Sequence, residues 1–400
     1  MGMNDVASAE RVHIGFFGMR NAGKSSVVNA VTGQNLAVVS NIKGTTTDPV
    51  KKAMELLPIG PVVIIDTPGL DDVGELGKLR ISKAKQILAQ TDIAVLVVDA
   101  VKGICKADNE LISVFKDRKL PYIIVYNKSD LVKEQKPATG NELYVSALKK
   151  ENIDLLKEKI GEFAVDIKNN NHIIADLLVR GDMVVLVIPI DESAPKGRLI
   201  LPQQQTMREI LDAHCCAVAC RETELKETLE ALSAPPRLVV TDSQVFGRVG
   251  EIVPENIMLT SFSVLFARYK GDLTELVKGA AKLSRLKPGD KILISEGCTH
   301  HRQCNDIGTV KLPAWIESFT KAKIEFDFTS GTEFPDNLSE YALIVHCGGC
   351  MLNEKEMKHR IEQAKSEGVP IVNYGIAIAR MHGILERSLR PFPGILKILT

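Results

Sequence analysis

What this 400-residue chain has little of narrows its function before any motif is read. Net charge is absent, because 50 Lys and Arg residues offset 50 Asp and Glu. No overall basic field therefore points to nucleic acid as the main partner. Aromatic residues make up only 5% of the chain, with a single Trp. No apolar run approaches the roughly 20 residues of a membrane-spanning helix. The strongest candidate, MVVLVIPI at 183–190, is strand-length. The opening MGMNDVASAERVHIGFFG lacks a basic segment followed by an apolar one, so no secretory signal is read. Seven of the eight cysteines fall in clusters, and in a chain of this character they read as thiols or metal ligands rather than a disulfide framework. A soluble cytoplasmic protein is expected, without membrane or nucleic-acid partners. Its length allows two or three domains, each with its own core.

What is present begins with HIGFFGMRNAGKSS, residues 13–26. A short apolar strand runs into Gly18-x-x-x-x-Gly23-Lys24-Ser25 and then into a helical pattern. This is the strand–loop–helix setting in which backbone N–H groups cradle phosphates at a helix N-terminus. Lys24 supplies a mobile cation for the β- and γ-phosphates, and Ser25 a hydroxyl for Mg²⁺. A chance Gly-rich turn is the bland alternative, and three later stretches count against it. VVIIDTPG places Asp66 and Gly69 past an apolar strand, where a carboxylate holds Mg²⁺ through water and a Gly N–H senses the γ-phosphate. YIIVYNKSD ends in Asn127-Lys128-x-Asp130, a carboxylate suited to the amino edge of guanine. YVSALKK places Ser146-Ala147-x-Lys149 where the guanine O6 would be met.

The ordered set GxxxxGKS, DTPG, NKxD and SAxK resembles the translation-factor-related GTPases, and guanine nucleotide with Mg²⁺ is the implied ligand. The P-loop Asn21 and the GTTTD stretch, Gly44 to Asp48, resemble the TrmE and Era-like branch. Leu70 stands where Ras-like enzymes carry a water-orienting Gln. The branch resemblance implies K⁺ held with help from Asn21, slow K⁺-stimulated GTP hydrolysis, and Thr46 as a switch ligand of Mg²⁺, with Thr45 the adjacent alternative. The expected nucleotide set is Gly18, Asn21, Ala22, Gly23, Lys24, Ser25, Ser26, Thr45, Thr46, Asp66, Asn127, Lys128, Asp130, Ser146, Ala147 and Leu148. Within this domain Lys24, Asn21, Thr46, Asp66 and Gly69 are the expected catalytic groups, and Ser25 and Thr46 the Mg²⁺ ligands.

A polar break, KNNNH, suits a domain boundary near Lys168. Residues 168–270 alternate strand-like and helix-like runs without a motif tied to chemistry. QQTMREILDAHCCAVAC reads as helical, with Cys216 and Cys220 one turn apart on a buried face. From about residue 271 apolar strands and amphipathic helices alternate regularly, indicating a parallel, doubly wound α/β sheet. Functional groups in such sheets gather past the carboxyl ends of strands. KILISEGCTHHRQC places Cys298 and His300 past one strand, and ALIVHCGGC places His346, Cys347 and Cys350 past another. If those strands are neighbours, three thiols converge with two imidazoles nearby. Ligand chemistry alone leaves structural zinc and a 4Fe–4S cluster both open, while a redox dithiol would leave Cys298 idle.

A P-loop GTPase followed by Cys298-Thr299-His300 and His346-Cys347-Gly348-Gly349-Cys350 resembles the FeFe-hydrogenase maturation GTPases, the HydF family, over the whole chain. That resemblance implies an α/β fold in three parts: a GTPase domain (1–167), a dimerisation domain (168–270) and a doubly wound iron–sulfur cluster domain (271–400). It implies a scaffold with a 4Fe–4S cluster on Cys298, Cys347 and Cys350, with His300 and His346 either capping the fourth iron or orienting a loop. It also implies a homodimer formed through the middle domain. Radical-SAM maturases would supply a diiron precursor and the apo-hydrogenase would receive it. The alternative is a TrmE/Era-like GTPase with a zinc-stabilised accessory domain, acting on RNA or in regulation. His301, Cys304 and Cys215 have no assigned role.

Overall fold

The computed structural model describes residues 11–34, 50–57, 59–67, 87–132, 140–168, 172–190, 199–297, 307–331, 333–349 and 352–399. The chain divides into two compact units, residues 1–170 and 171–400.

The first unit is built on six strands: β1 (Val12–Phe17), β2 (Val50–Leu56), β3 (Gly60–Asp66), β4 (Ile93–Asp99), β5 (Tyr122–Asn127) and β6 (Glu142–Val145). They lie in the order β2-β3-β1-β4-β5-β6, with only β2 antiparallel to its neighbour. β1 and β4 are buried along their whole length, as predominantly apolar strands covered on both faces must be. One face takes Val27, Val28 and Val31 of helix Lys24–Thr32 and Leu156 and Ile160 of helix Ile153–Lys168. The other takes Leu111 and Phe115 of helix Lys106–Asp117.

The second unit carries two four-stranded parallel sheets. One contains β7 (Met183–Val187), β8 (Cys216–Cys220), β9 (Leu238–Thr241) and β10 (Met258–Ser261), in the order β10-β9-β7-β8. The other contains β11 (Lys291–Glu296), β12 (Glu325–Ser330), β13 (Leu343–His346) and β14 (Ile371–Asn373), in the order β12-β11-β13-β14. In each sheet the first strand pairs with the second and third, and the fourth lies beyond the third, so the two share one connection pattern. One hydrophobic core joins them, running from Ile173 through Phe262 and Leu293 to Phe392.

The helical reading of 204–220 is corrected. Helix Leu201–Asp212 ends at its Ala213 C-cap, and His214 adopts a left-handed backbone, φ 58°. That conformation breaks a helix, and the next residues form β8. Among the described residues this strand pairs only with β7, at the edge of its sheet. Cys216 is exposed and Cys220 half-buried, and only Cys215 is buried. Burial pushes the Cys220 thiol above its ordinary value.

Candidate functional site

The sequence motifs of the first unit meet at the carboxyl ends of β1, β3, β5 and β6. Gly23 caps helix Lys24–Thr32 with φ 87°, and a Cβ there would lie 2.3 Å from Asn127 Nδ2. Only glycine lets the loop close this tightly. The Asn127 amide, 3% exposed, donates from Nδ2 to Ala22 O at 3.0 Å and accepts from Ala147 N at 3.1 Å. One side chain thus ties the phosphate loop to the guanine-side loop. Lys128 Nζ adds a second tie, donating to Asn21 O at 2.8 Å and to Asp99 Oδ2 at 2.5 Å. Burial alone would raise the Asp99 carboxyl, but the Lys128 hydrogen bond, the Val101 and Lys102 N–H groups and the Lys128 charge together outweigh it and hold the carboxyl below the usual range. Ser146 Oγ donates to Asp130 Oδ1 at 2.7 Å and accepts from Lys149 N at 3.1 Å. Leu148 stands exposed beside them.

On the phosphate side Lys24 is buried, its Nζ 2.9 Å from Gly18 O. Ser26 continues the helix behind it. Ser25 Oγ donates to Asp66 Oδ2 at 3.1 Å, and Thr67 Oγ1 donates to Phe16 O at 2.7 Å, pinning the end of β3 to β1. Burial raises the Asp66 carboxyl against the opposing pull of Lys24 and Ser25. Asp66 Oδ1 is buried with no hydrogen-bond partner among the described residues. A buried carboxylate oxygen left this way is costly unless a cation completes it, so Ser25 and Asp66 fit Mg²⁺. Thr45, Thr46, Gly69 and Leu70 lie outside the described residues.

The thiol site lies in the second unit. β11 and β13 are hydrogen-bonded neighbours, with Ser295 paired to His346, which meets the condition on which three thiols could converge. Cys347 N donates to Ser295 O at 2.9 Å, extending the ladder one residue. Cys347 Sγ accepts from Gly297 N at 2.9 Å and from Gly349 N at 3.4 Å. These two glycines directly precede Cys298 and Cys350 in sequence. Gly349 has φ 64°, and a Cβ on it would meet Met357 Sδ at 2.7 Å. Two N–H groups aimed at one sulfur suit a thiolate, as ligation of a metal or cluster requires. Cys298, His300, His301, Cys304 and Cys350 lie outside the described residues. Among the described residues no three His, Cys, Asp or Glu side chains form a metal-holding group.

His346 is fully buried, and both ring nitrogens are engaged. Arg360 Nη1 lies 3.0 Å from Nε2, and Nδ1 lies 2.7 Å from Cys347 O. A guanidinium only donates, so Nε2 accepts and the ring proton sits on Nδ1, facing the carbonyl. Arg360, 2% exposed, also donates to Ser295 Oγ (3.3 Å), Gly331 O (3.0 Å) and Glu356 Oε1 (2.8 Å). From the far side Lys270 Nζ, on a residue 3% exposed, donates to Gly349 O at 3.3 Å and Leu352 O at 3.2 Å. Sequence reasoning missed both cations. Arg360 shares the buried stripe of its helix with Met357, Ile361 and Ala364, and a basic residue at an apolar helical position was the available signal.

Comparison with known families separates the two units. The family described as 50S ribosome-binding GTPase matches residues 13–128. The hydrogen maturase F dimerization domain matches residues 173–271, and the hydrogen maturase F tetramerization domain matches 274–391. The last two together span more than half of the chain. The chain belongs to the hydrogen maturase F family. In maturase F terms, β7 to β10 and Lys270 lie in the dimerization domain, while β11 to β14, Cys347 and Arg360 lie in the tetramerization domain. Two curated relatives illustrate the match at the N-terminal GTPase domain. The tRNA modification GTPase MnmE of Clostridioides difficile (strain 630) is 32% identical over 167 residues, 39% of this chain and 36% of that protein. MnmE of Lactobacillus helveticus (strain DPC 4571) is 35% identical over 162 residues, 38% and 34% respectively. The chain thus spans about a third of the length of these relatives. Among solved structures, a single-residue variant of Aquifex aeolicus Era bound to GDP and aluminium fluoride is 17% identical, covering 81% of this chain and 94% of that one, with a TM-score of 0.34.

Proposed function

We propose that this maturase F chain is a GTP-hydrolysing scaffold that assembles the active-site cluster of an FeFe-hydrogenase. Its working parts are a GTPase domain (1–167), a dimerisation domain (168–270) and a cluster domain (271–400). In the first, Ser25 and Asp66 hold Mg²⁺ with Thr46, Lys24 neutralises phosphate charge, Gly69 senses the γ-phosphate, and Asp130 selects guanine. In the last, Cys298, Cys347 and Cys350 hold a 4Fe–4S cluster, which when bound offers iron at which a diiron precursor from radical-SAM maturases can dock before transfer to the apo-hydrogenase. GTP turnover serves as a switch, since phosphoryl transfer provides no route to iron–ligand bonds; ordering of switch segments is its physical handle. His346 orients the loop rather than ligating, because each ring nitrogen already has a hydrogen-bond partner. The observation that carries the reading is the pairing of β11 with β13, with Gly297 and Gly349 N–H groups on the Cys347 sulfur.

Anaerobic purification with metal analysis and a visible spectrum tests it. Broad absorbance with iron and sulfide is expected, and Cys347→Ser should abolish the colour while GTP hydrolysis continues. A colourless protein with one zinc per chain would instead establish a zinc-stabilised GTPase.

A further inference from the structure

The seven residues from His346 to Leu352 need an explanation that thiol spacing does not provide. A loop that presents N–H groups to a sulfur must turn its carbonyls elsewhere, and buried carbonyls need donors. One donor is local, the Leu352 N–H to Gly349 O at 3.1 Å, and the others depend on two buried cationic side chains. Lys270 reaches across from the C-terminal residue of helix Phe262–Lys270 and binds the carbonyls of Gly349 and Leu352, which flank Cys350 in sequence. Arg360 acts at one remove. It holds the His346 ring at Nε2, and the opposite ring nitrogen binds the carbonyl of Cys347. Three carbonyls of one loop are thus engaged, while Gly349 N and Gly297 N face the Cys347 sulfur.

Burying a guanidinium or an ammonium costs several kcal/mol before its partners repay it. A hydrophobic residue would fill either position without that cost, so packing does not account for the choice. We infer that Lys270 and Arg360 are positioning residues that clamp the cysteine loop, Lys270 by two carbonyls and Arg360, its own charge paired with Glu356, through the His346 ring, so that the loop's N–H groups and the Lys270 charge favour a more reduced, more negative group on the thiolates. The inference rests on the cluster reading of the cysteines. It also assigns Lys270 a linking role: the residue belongs to the dimerization domain and its bonds to the tetramerization domain, so the cysteine loop is fixed from the neighbouring domain. Hydrogen bonds to sulfur and nearby charge are the means by which a protein moves a cluster potential.

The test compares the full-length chain with Lys270→Met, Lys270→Gln and Lys270→Arg after anaerobic reconstitution with iron and sulfide. Iron retention against a chelator and the midpoint potential from an EPR-monitored titration are the readouts. Lys270→Met should hold iron about 10- to 100-fold less tightly, the scale of lost outer-shell partners, and its potential should move negative. Lys270→Arg should recover most of both. Should Lys270→Met fail to fold, as judged by a cooperative melt, Lys270→Gln keeps a donor but removes the charge. It should then hold iron while its potential still moves negative. A wild-type chain that takes up no iron overturns the cluster reading, and the clamp with it. A wild-type chain with a cluster, matched in retention and potential by Lys270→Met and Lys270→Gln, overturns the clamp alone.

Discussion

Asn21 and Asn127 show how differently one residue type serves the nucleotide pocket. Asn127 is buried and uses its side chain to tie two loops together. Asn21 is exposed, with φ 63°, and is held through its main-chain carbonyl by Lys128. Its side chain therefore contributes little to building the loop, which leaves it available for the K⁺ role implied by the GTTTD and P-loop resemblance. Asn21→Gly isolates that role, because glycine adopts positive φ without strain. GTP hydrolysis by the wild type should run faster in K⁺ than in Na⁺ at equal ionic strength, and Asn21→Gly should lose the difference. Equal wild-type rates in the two salts would remove K⁺ from the mechanism. The NKxD spacing made Asn127 legible in the sequence. Its structural duty was not, because that depends on two backbone groups from distant segments.

At the scale of elements, runs such as KILIS and ALIVH were legible as strands because continuous apolar residues of that length suit a parallel sheet. β8 was not legible. Cysteine, alanine and valine at i and i+4 satisfy a helical face as well as a strand, and His214 breaks the helix by a conformation that no composition rule flags. The thiol site was legible in its cysteines and not in its supports, since Glu356 and Arg360 at i,i+4 look like a surface ion pair until burial is known. β8 also bears on the homodimer proposed through this domain. Cys216 N donates inward to Asp182 O, so by alternation the N–H groups of Ala217 and Ala219 face the open side of the edge. An edge with no partner strand among the described residues invites a second strand. Ala219→Pro removes an outward N–H without breaking a ladder bond. The fold should survive, with a melting temperature within a few degrees of wild type, an energy change of about 1 kcal/mol. The mass by light scattering should fall toward the monomer at micromolar concentration. An unchanged dimer mass would move the interface away from β8.

For the whole molecule, the division at residues 170 and 171 separates two units that each bury their own core. The residues proposed for the nucleotide fall between 18 and 149, and the cysteine loop with its cationic supports between 270 and 360. If each unit unfolds cooperatively, a ligand of one raises only that unit's transition, by RT ln(1 + [L]/Kd), about 2.7 kcal/mol at a hundredfold excess over Kd. For a domain of this size that is a shift of several degrees. Calorimetry of the metal-free full-length chain should therefore resolve two transitions, and GDP with Mg²⁺ should move one while leaving the other in place. Asp130→Ala, which removes the guanine-side carboxylate, should cancel the shift without altering the second transition. A single transition that moves as a whole would mean that nucleotide binding is felt throughout the second unit. That outcome would give GTP a direct energetic route to the cysteine loop, whereas two independent transitions require the switch to act through a partner or through the assembled oligomer.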